Sequence, residues 1–238
     1  MGWISMLYLS IGMTKSLSSL LASLPLFKNL QGMNLDVFTR DCQFITARAG
    51  DVIFEDGAPA DFAYIIFYGS AKMIAMQNDR DTIMNFFGRN RILGAPLMKS
   101  ETSVYPLTAI ALEESGLVKI ARKTFCEAWL KNDVLALELD RQIIETLQAF
   151  QKSKAMNRSS VENRVADLLL RLHSSQPKEL GDRIMIRLTR QDIADAVGST
   201  VESVIRVLSK WTKENVIVTV DHRVELKNIS RLNEFLGG

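Results

Sequence analysis

Apolar positions change their period several times along the chain. Leu20–Leu30 (LLASLPLFKNL) clusters leucines around Pro25, which predicts a short helix stopped at the proline and a further helical turn after it. Between Asp41 and Ile120 the period shortens. Gln43–Ala47, Val52–Phe54, Tyr64–Tyr68 and Lys72–Met76 are rich in β-branched and aromatic residues. Ala49-Gly50-Asp51, Glu55-Asp56-Gly57, Tyr68-Gly69-Ser70 and Asn78-Asp79 separate them as turns, so the region reads as a small sandwich or barrel of short strands. Lys123–Met156 then runs without Gly or Pro. Leu130, Val134, Leu137, Ile144 and Leu147, at intervals of 4, 3, 7 and 3, line one helical stripe, and Leu135, Leu139 and Ile143 a second. A helix apolar over so wide an arc can cover its own domain with one face and meet a second copy of the chain with the other. Packing of the whole helix against one core is the alternative.

Asn157-Arg158-Ser159-Ser160 is a polar break and the expected hinge. Ser160 is placed to cap a helix over Val161–His173, the loop Ser174–Gly181 with Pro177 ends it, and Arg183–Leu188 (RIMIRL) alternates as a strand. The resulting partition is an apolar extension over 1–19, a strand-rich sensor domain over 20–122, a dimerisation helix over 123–157 and a C-terminal domain over 158–238.

The densest local signal is LTRQDIADAVGSTVESVIRVLSKW, Leu188–Trp211. Thr189 with Asp192 has the spacing of a capping box. Ile193, Ala194 and Val197 give a short first helix an inward face, Gly198 falls where the chain must turn sharply, and Ser199 or Thr200 caps a second helix packed through Val204, Val207, Leu208 and Trp211. A small residue at the helix crossing, a turn glycine and buried valines are what a helix-turn-helix requires. Two apolar runs around Asp221-His222 follow as a hairpin, the wing. DNA binding is the functional expectation, a hairpin used only for packing the alternative. The start of the second helix would enter the major groove, with Val201, Glu202 and Arg206 outward. Arg206 suits guanine O6 and N7, Glu202 a cytosine amino group, and Val201 a thymine methyl. The plainer roles are a phosphate contact for Arg206 and a capping box with Ser199 for Glu202. Arg190, Gln191, Ser199, Thr200, Lys210 and His222 are assigned to the DNA backbone, which positions without specifying.

Composition adds little. The net charge is +2, and from Arg158 onward there are 13 Lys/Arg against 11 Asp/Glu, so the excess lies in the C-terminal third. Two distant cysteines, Cys42 and Cys126, make neither a disulfide framework nor a zinc site, and a reducing cytoplasm is expected. No apolar run is long enough to span a bilayer, and Met1–Met13 lacks the basic start and small-residue cleavage site of a signal peptide. There is no GxSxG, no phosphate-binding Gly-Lys-Ser/Thr loop and no HExxH, so nothing argues for an enzyme. A regulatory module acting on a protein partner instead of DNA is the competing function.

On LASLPLFKNL, on Gly50-Asp51-x-Ile53 with Gly57, Ala60, Tyr64-Ile65 and Gly69, on the long helix, and on LTRQDIADAVGSTVESVIR, the chain resembles the CRP/FNR superfamily of bacterial regulators from about Leu20 to Arg231. The resemblance implies an α+β fold: an N-terminal β-roll (jelly-roll-like) sensor domain, a long dimerisation helix and a C-terminal winged helix-turn-helix. It also implies a homodimer on a near-palindromic double-stranded DNA site, in contact with RNA polymerase, with no membrane. The effector sites depart from the pattern. Members that bind cyclic AMP hold its phosphate with Gly-Glu and, about ten residues on, Arg-Ser; here the positions read Gly94-Ala95 and Tyr105-Pro106, with no cation and, at Pro106, no N–H. Phe150 and Gln151 stand where a polar pair would meet the purine. Gly94, Ala95, Tyr105, Phe150 and Gln151 thus mark a possible effector pocket of unknown ligand, and control by cyclic AMP in the usual way is not expected. Two cysteines cannot supply the four thiolates of an iron–sulfur cluster, and His173 and His222 both lie beyond the sensor, so no cofactor and no metal is expected.

Overall fold

The computed structural model describes residues 16–30, 32–77, 80–176 and 181–236. Met1–Met13, the turn Asn78-Asp79 and Pro177 lie outside the described residues. Helix α1 (Leu17–Ala22) is capped by Ser16, and a 3-10 helix takes Pro25–Leu30. Eight strands follow: β1 (Cys42–Ala47), β2 (Val52–Phe54), β3 (Phe62–Tyr68), β4 (Ala71–Gln77), β5 (Arg80–Phe87), β6 (Ile92–Leu93), β7 (Thr108–Ala111) and β8 (Ser115–Ala121). They form two four-stranded sheets, in the orders β1-β8-β3-β6 and β2-β7-β4-β5, the jelly-roll-like arrangement that the family resemblance implied and one form of the sandwich the strand pattern suggested. Helix α2 (Asp133–Ala155) leads to α3 (Val161–Ser174), α4 (Arg190–Val197), α5 (Val201–Lys213), the hairpin β9 (Ile217–Val220) and β10 (Arg223–Leu226), and α6 (Ile229–Glu234).

The chain divides into two compact units, Met1–Ala71 with Phe87–Glu145, and Lys72–Phe86 with Thr146–Gly238. In the first, β3 is buried along almost its whole length and pairs antiparallel with β8. Gly116 on β8 lets this pairing close, because a Cβ there would sit 2.3 Å from the Tyr68 ring. Trp129, fully buried, stacks on Phe125 and meets Phe27 and Phe38 edge-on, and its indole N–H donates to the Phe38 carbonyl at 3.2 Å.

The helix expected from Lys123 is interrupted. A turn of helix at Arg122–Thr124 widens to a π-helix over Phe125–Trp129, and α2 begins only at Asp133. Asn132 restarts it, its Oδ1 accepting the Leu135 N–H at 3.1 Å. Leu130 therefore sits half-buried in the break and not on the stripe. Beyond it the two stripes separate as expected: Leu135 and Leu139 are buried, whereas Val134, Leu137, Ile144 and Leu147 are exposed.

In the second unit, Leu169 and Leu172 of α3, Ile193 and Ala194 of α4, Val204, Leu208 and Trp211 of α5, and Ile217 and Val224 of the hairpin share one core. Each Leu, Ile or Val side chain among them contributes about 1.5–3 kcal/mol on burial. Arg183–Leu188 is not a strand. Ile184, Ile186 and Leu188 are buried in alternation as expected, but only Arg183 makes a bridge, to Glu225, and the ladder is reduced to Ile184 N–H to Val224 and Leu188 N–H to His222. Among the described residues no helix is long and apolar enough to cross a membrane.

Candidate nucleic-acid interface

Thr189 and Asp192 start α4 as a closed capping box: the Thr189 hydroxyl accepts the Asp192 N–H at 3.0 Å, and Asp192 Oδ2 accepts the Thr189 N–H at 3.0 Å. Asp192 Oδ1 also takes the Lys72 ammonium at 2.7 Å. Burial opposes ionisation of this carboxyl, but the bonds from Lys72 and Thr189 outweigh it and hold the group below the usual aspartate range. Gly198 ends α4 at φ 60°, ψ 52°, the left-handed conformation that turns the chain toward α5. The cap of α5 is Thr200, whose hydroxyl accepts the Ser203 N–H at 3.3 Å; Ser199 lies outside the helix and donates its N–H to Ala194 at 3.0 Å.

Val204, Val207, Leu208 and Trp211 face inward on α5, leaving Glu202, Ile205, Arg206, Ser209, Lys210 and Lys213 in solvent, with Val201 half-buried. The Arg206 guanidinium makes a single 3.3 Å bond to Ser203 within its own helix. Glu202 folds back on the helix start. The N–H of its own residue and the Thr200 hydroxyl lower its carboxyl below the usual glutamate range, with a smaller contribution from Arg206. Lys210 pairs with Glu162 of α3 at 2.8 Å and so is engaged with the fold in this state.

The wing turn places Asp221 and His222 both at positive φ, 50° and 60°, which is what a two-residue hairpin demands. His222 is exposed there and lines a surface hollow with Arg187, Arg190, Thr219 and Asp221. Arg190 is half-buried and reaches Thr219 Oγ1 at 3.4 Å. Gln191 instead bonds Asp195 one turn on, at 2.7 Å. Arg187 was missed from the sequence; its signal is an outward place in the alternation just before Leu188.

In the first unit, Gly94 and Tyr105 come together with no room left between them, and Ala95 is buried beside Gly94. The buried Tyr105 ring stacks on Phe54 at 3.9 Å and 14°, and its hydroxyl donates to the Phe62 carbonyl at 2.6 Å. Burial pushes the phenol above its ordinary range. A Cβ on Gly94 would lie 3.2 Å from that ring and 3.1 Å from the Phe62 oxygen. Phe150 and Gln151, on the C-terminal half of α2, belong to the other unit, where Phe150 borders a cavity of about 370 Å³ with Met84, Asp167 and Arg171. Cys42 donates to the Phe38 carbonyl and burial pushes its thiol up to about 12; Cys126 donates to Met98 at 3.1 Å. His173 lies 3.3 Å from Asp182. Among the described residues no group of three or more potential metal ligands gathers.

Comparison with known proteins agrees with this architecture. Residues 44–147 match the cyclic nucleotide-binding domain and residues 163–235 the Crp-like helix-turn-helix domain. The transcriptional activator protein Anr of Pseudomonas protegens is 23% identical over 90% of this chain and 88% of its own length. The cAMP-activated global transcriptional regulator CRP of Salmonella typhimurium is 25% identical over 77% of this chain and 89% of its own. The structure of FixK2 from Bradyrhizobium japonicum shares the fold with a TM-score of 0.70 at 20% identity, covering 82% of this chain and 96% of that one. With a cyclic nucleotide-binding domain, a long helix and a Crp-like helix-turn-helix in that order, the chain belongs to the CRP/FNR superfamily of transcription regulators.

Proposed function

We propose that the protein binds a near-palindromic double-stranded DNA site as a homodimer and does so without cyclic AMP acting in the family's usual way. The observation that carries this reading is the outward face of α5, where Glu202 and Arg206 stand in solvent over a fully buried Val204, Leu208 and Trp211. Arg206 donates in pairs to guanine, Glu202 accepts from cytosine and Val201 meets a thymine methyl. Arg190, Gln191, Ser199, Thr200, Lys210 and His222 hold the backbone, and Lys210 leaves Glu162 to do so. The exposed stripe Val134, Leu137, Ile144 and Leu147 supplies the dimer contact; Leu130, in the turn, takes at most an edge of it. The sensor is the region 20–122 and the hinge Asn157–Ser160, where a 3-10 turn ends before Ser160 caps α3. Contact with RNA polymerase and a cytoplasmic location follow from the same reading.

The cyclic-AMP part rests on Tyr105. A neutral ring bonded to the protein's own carbonyl occupies the place where an anionic phosphate would need a cation. Selection of bound sites from a random DNA library with purified protein and no small molecule is expected to recover a two-fold symmetric sequence, its half-sites about 10 bp apart. Added cyclic AMP should change neither the recovered sequence nor the affinity. A site recovered only in its presence would overturn that part, and a folded protein that enriches nothing, alone or with cell extract, would overturn the whole. The double substitution Leu137→Glu and Leu147→Glu should convert the dimer to monomer in sedimentation velocity, like charges facing each other across the two-fold axis.

A further inference from the structure

Resting on the DNA-binding reading, we infer that Ile205 is a specificity-determining residue that reads the C5-methyl of a thymine in each half-site. Ile205 is 45% exposed, whereas its neighbours Val204 and Val207 are buried. A β-branched residue on an exposed helix face contributes neither to the core nor to helix propensity, where Ala, Lys or Glu would do better. Single exposed apolar residues are common and need no explanation in general. This one stands on one flank of the exposed surface that otherwise carries Glu202, Arg206, Ser209 and Lys213.

At about 100° per residue, Ile205 lies about 60° to one side of Glu202 while Arg206 lies about 40° to the other. Val201, half-buried, is one turn ahead of Ile205 on the same flank. The recognition face is thus divided: a cationic flank headed by Arg206 and Lys210, a carboxylate in the middle, and an apolar flank of Val201 and Ile205. Base edges in the major groove offer donors, acceptors and one apolar group, the thymine methyl. Arg206 and Glu202 have partners among the polar groups. The methyl is the only feature that complements Ile205, and the cationic flank holds the helix to the same duplex.

The test uses the full chain and its selected site. Thymines of the half-site are replaced one at a time by deoxyuridine, which keeps every hydrogen-bonding group and removes only the methyl, and Kd is read by fluorescence anisotropy. At one position the replacement should weaken wild-type binding about four-fold per half-site and about fifteen-fold when made in both. Ile205→Ala should bind the thymine and uracil duplexes equally, while Val201→Ala still discriminates at that position. Ile205 is exposed and Ala favours helix, so an unchanged melting temperature certifies the variant. Full discrimination retained by Ile205→Ala, or no replacement that weakens the wild type, overturns the assignment while leaving sequence-specific binding intact. A folded wild type that enriches no sequence overturns both.

Discussion

Around Tyr105, polar atoms point into the protein and are taken up by its own backbone. The phenol donates to Phe62, Thr108 Oγ1 accepts the Asp56 N–H at 3.0 Å, and the Arg122 guanidinium holds the carbonyls of Ala60, Leu97 and Ser100. Along α5 the opposite holds. Outside the buried ridge Glu202, Arg206, Ser209 and Lys213 are polar and exposed beside the exposed Ile205, and among the described residues Arg206 makes no hydrogen bond beyond its own helix turn. Both regions are rich in groups able to recognise a ligand, but those buried and bonded within the core are not available for one, whereas exposed groups are free or held only by a surface bond that can be exchanged. A motif-bearing position is evidence for binding when its side chain is unspent, and evidence for stability when it is bonded and buried.

The contrast is broken most strongly at Tyr105. If its ring is part of the core, Tyr105→Ala should cost about 3–5 kcal/mol, the range for deleting a buried aromatic, and strand the Phe62 carbonyl. Urea unfolding of the variant measures it. Loss below about 1 kcal/mol, together with new binding of cyclic AMP in calorimetry, would mean that the ring is a gate over a working site and that the comparison is misdrawn.

Arg206 is the reverse case. Arg206→Ala should leave the unfolding free energy, read by urea titration, within about 0.5 kcal/mol of wild type, since the side chain is exposed. It should nevertheless cost about 1–3 kcal/mol of binding, concentrated at one base pair in each half-site. Competition against a set of singly substituted operators separates this from a phosphate contact, which would weaken every sequence alike.

Much of this division was legible before any coordinates. β-Branched and aromatic richness between turn signals located β2 and β3, helical spacing divided α2 into a buried and an exposed stripe, and Thr189, Gly198 and the Asp221-His222 turn announced α4, α5 and the wing because each meets a stringent local requirement. What could not be read depended on partners distant in sequence. Arg183–Leu188 alternates like a strand, but the two-stranded wing gives it only an irregular edge to follow. The break before α2 follows from Trp129 being drawn into the Phe27–Phe38 cluster, nearly a hundred residues away in the chain. At the interface, the sequence left Ser199 or Thr200 as the cap of α5, and Thr200 takes that part; Lys210, assigned to the DNA backbone, is paired with Glu162 in the fold. Ile205 went unremarked because it lies outside the inward face of Val204, Val207, Leu208 and Trp211 and, on the outward face, Val201, Glu202 and Arg206 drew the assignment.

The smallest expected effect lies at Asp192, a polar group of the DNA-binding unit that is spent in the manner of Tyr105. Its carboxyl closes the α4 capping box and holds Lys72, and its pKa in the folded state is depressed below the ordinary 3.8. A depressed acid stabilises the fold above its unfolded pKa, and that contribution is lost as the pH falls through the folded value. Asp192→Asn keeps an oxygen for the Thr189 N–H but cannot pair with Lys72. The variant should therefore be less stable than wild type by about 1 kcal/mol at pH 7. The gap should hold down to about pH 4 and close only below that, as the wild-type carboxyl itself becomes neutral. Urea midpoints of the two proteins between pH 7 and pH 3 read the gap directly. A gap that is constant across the range would assign the loss to packing and leave the charge on Asp192 without a part in seating α4.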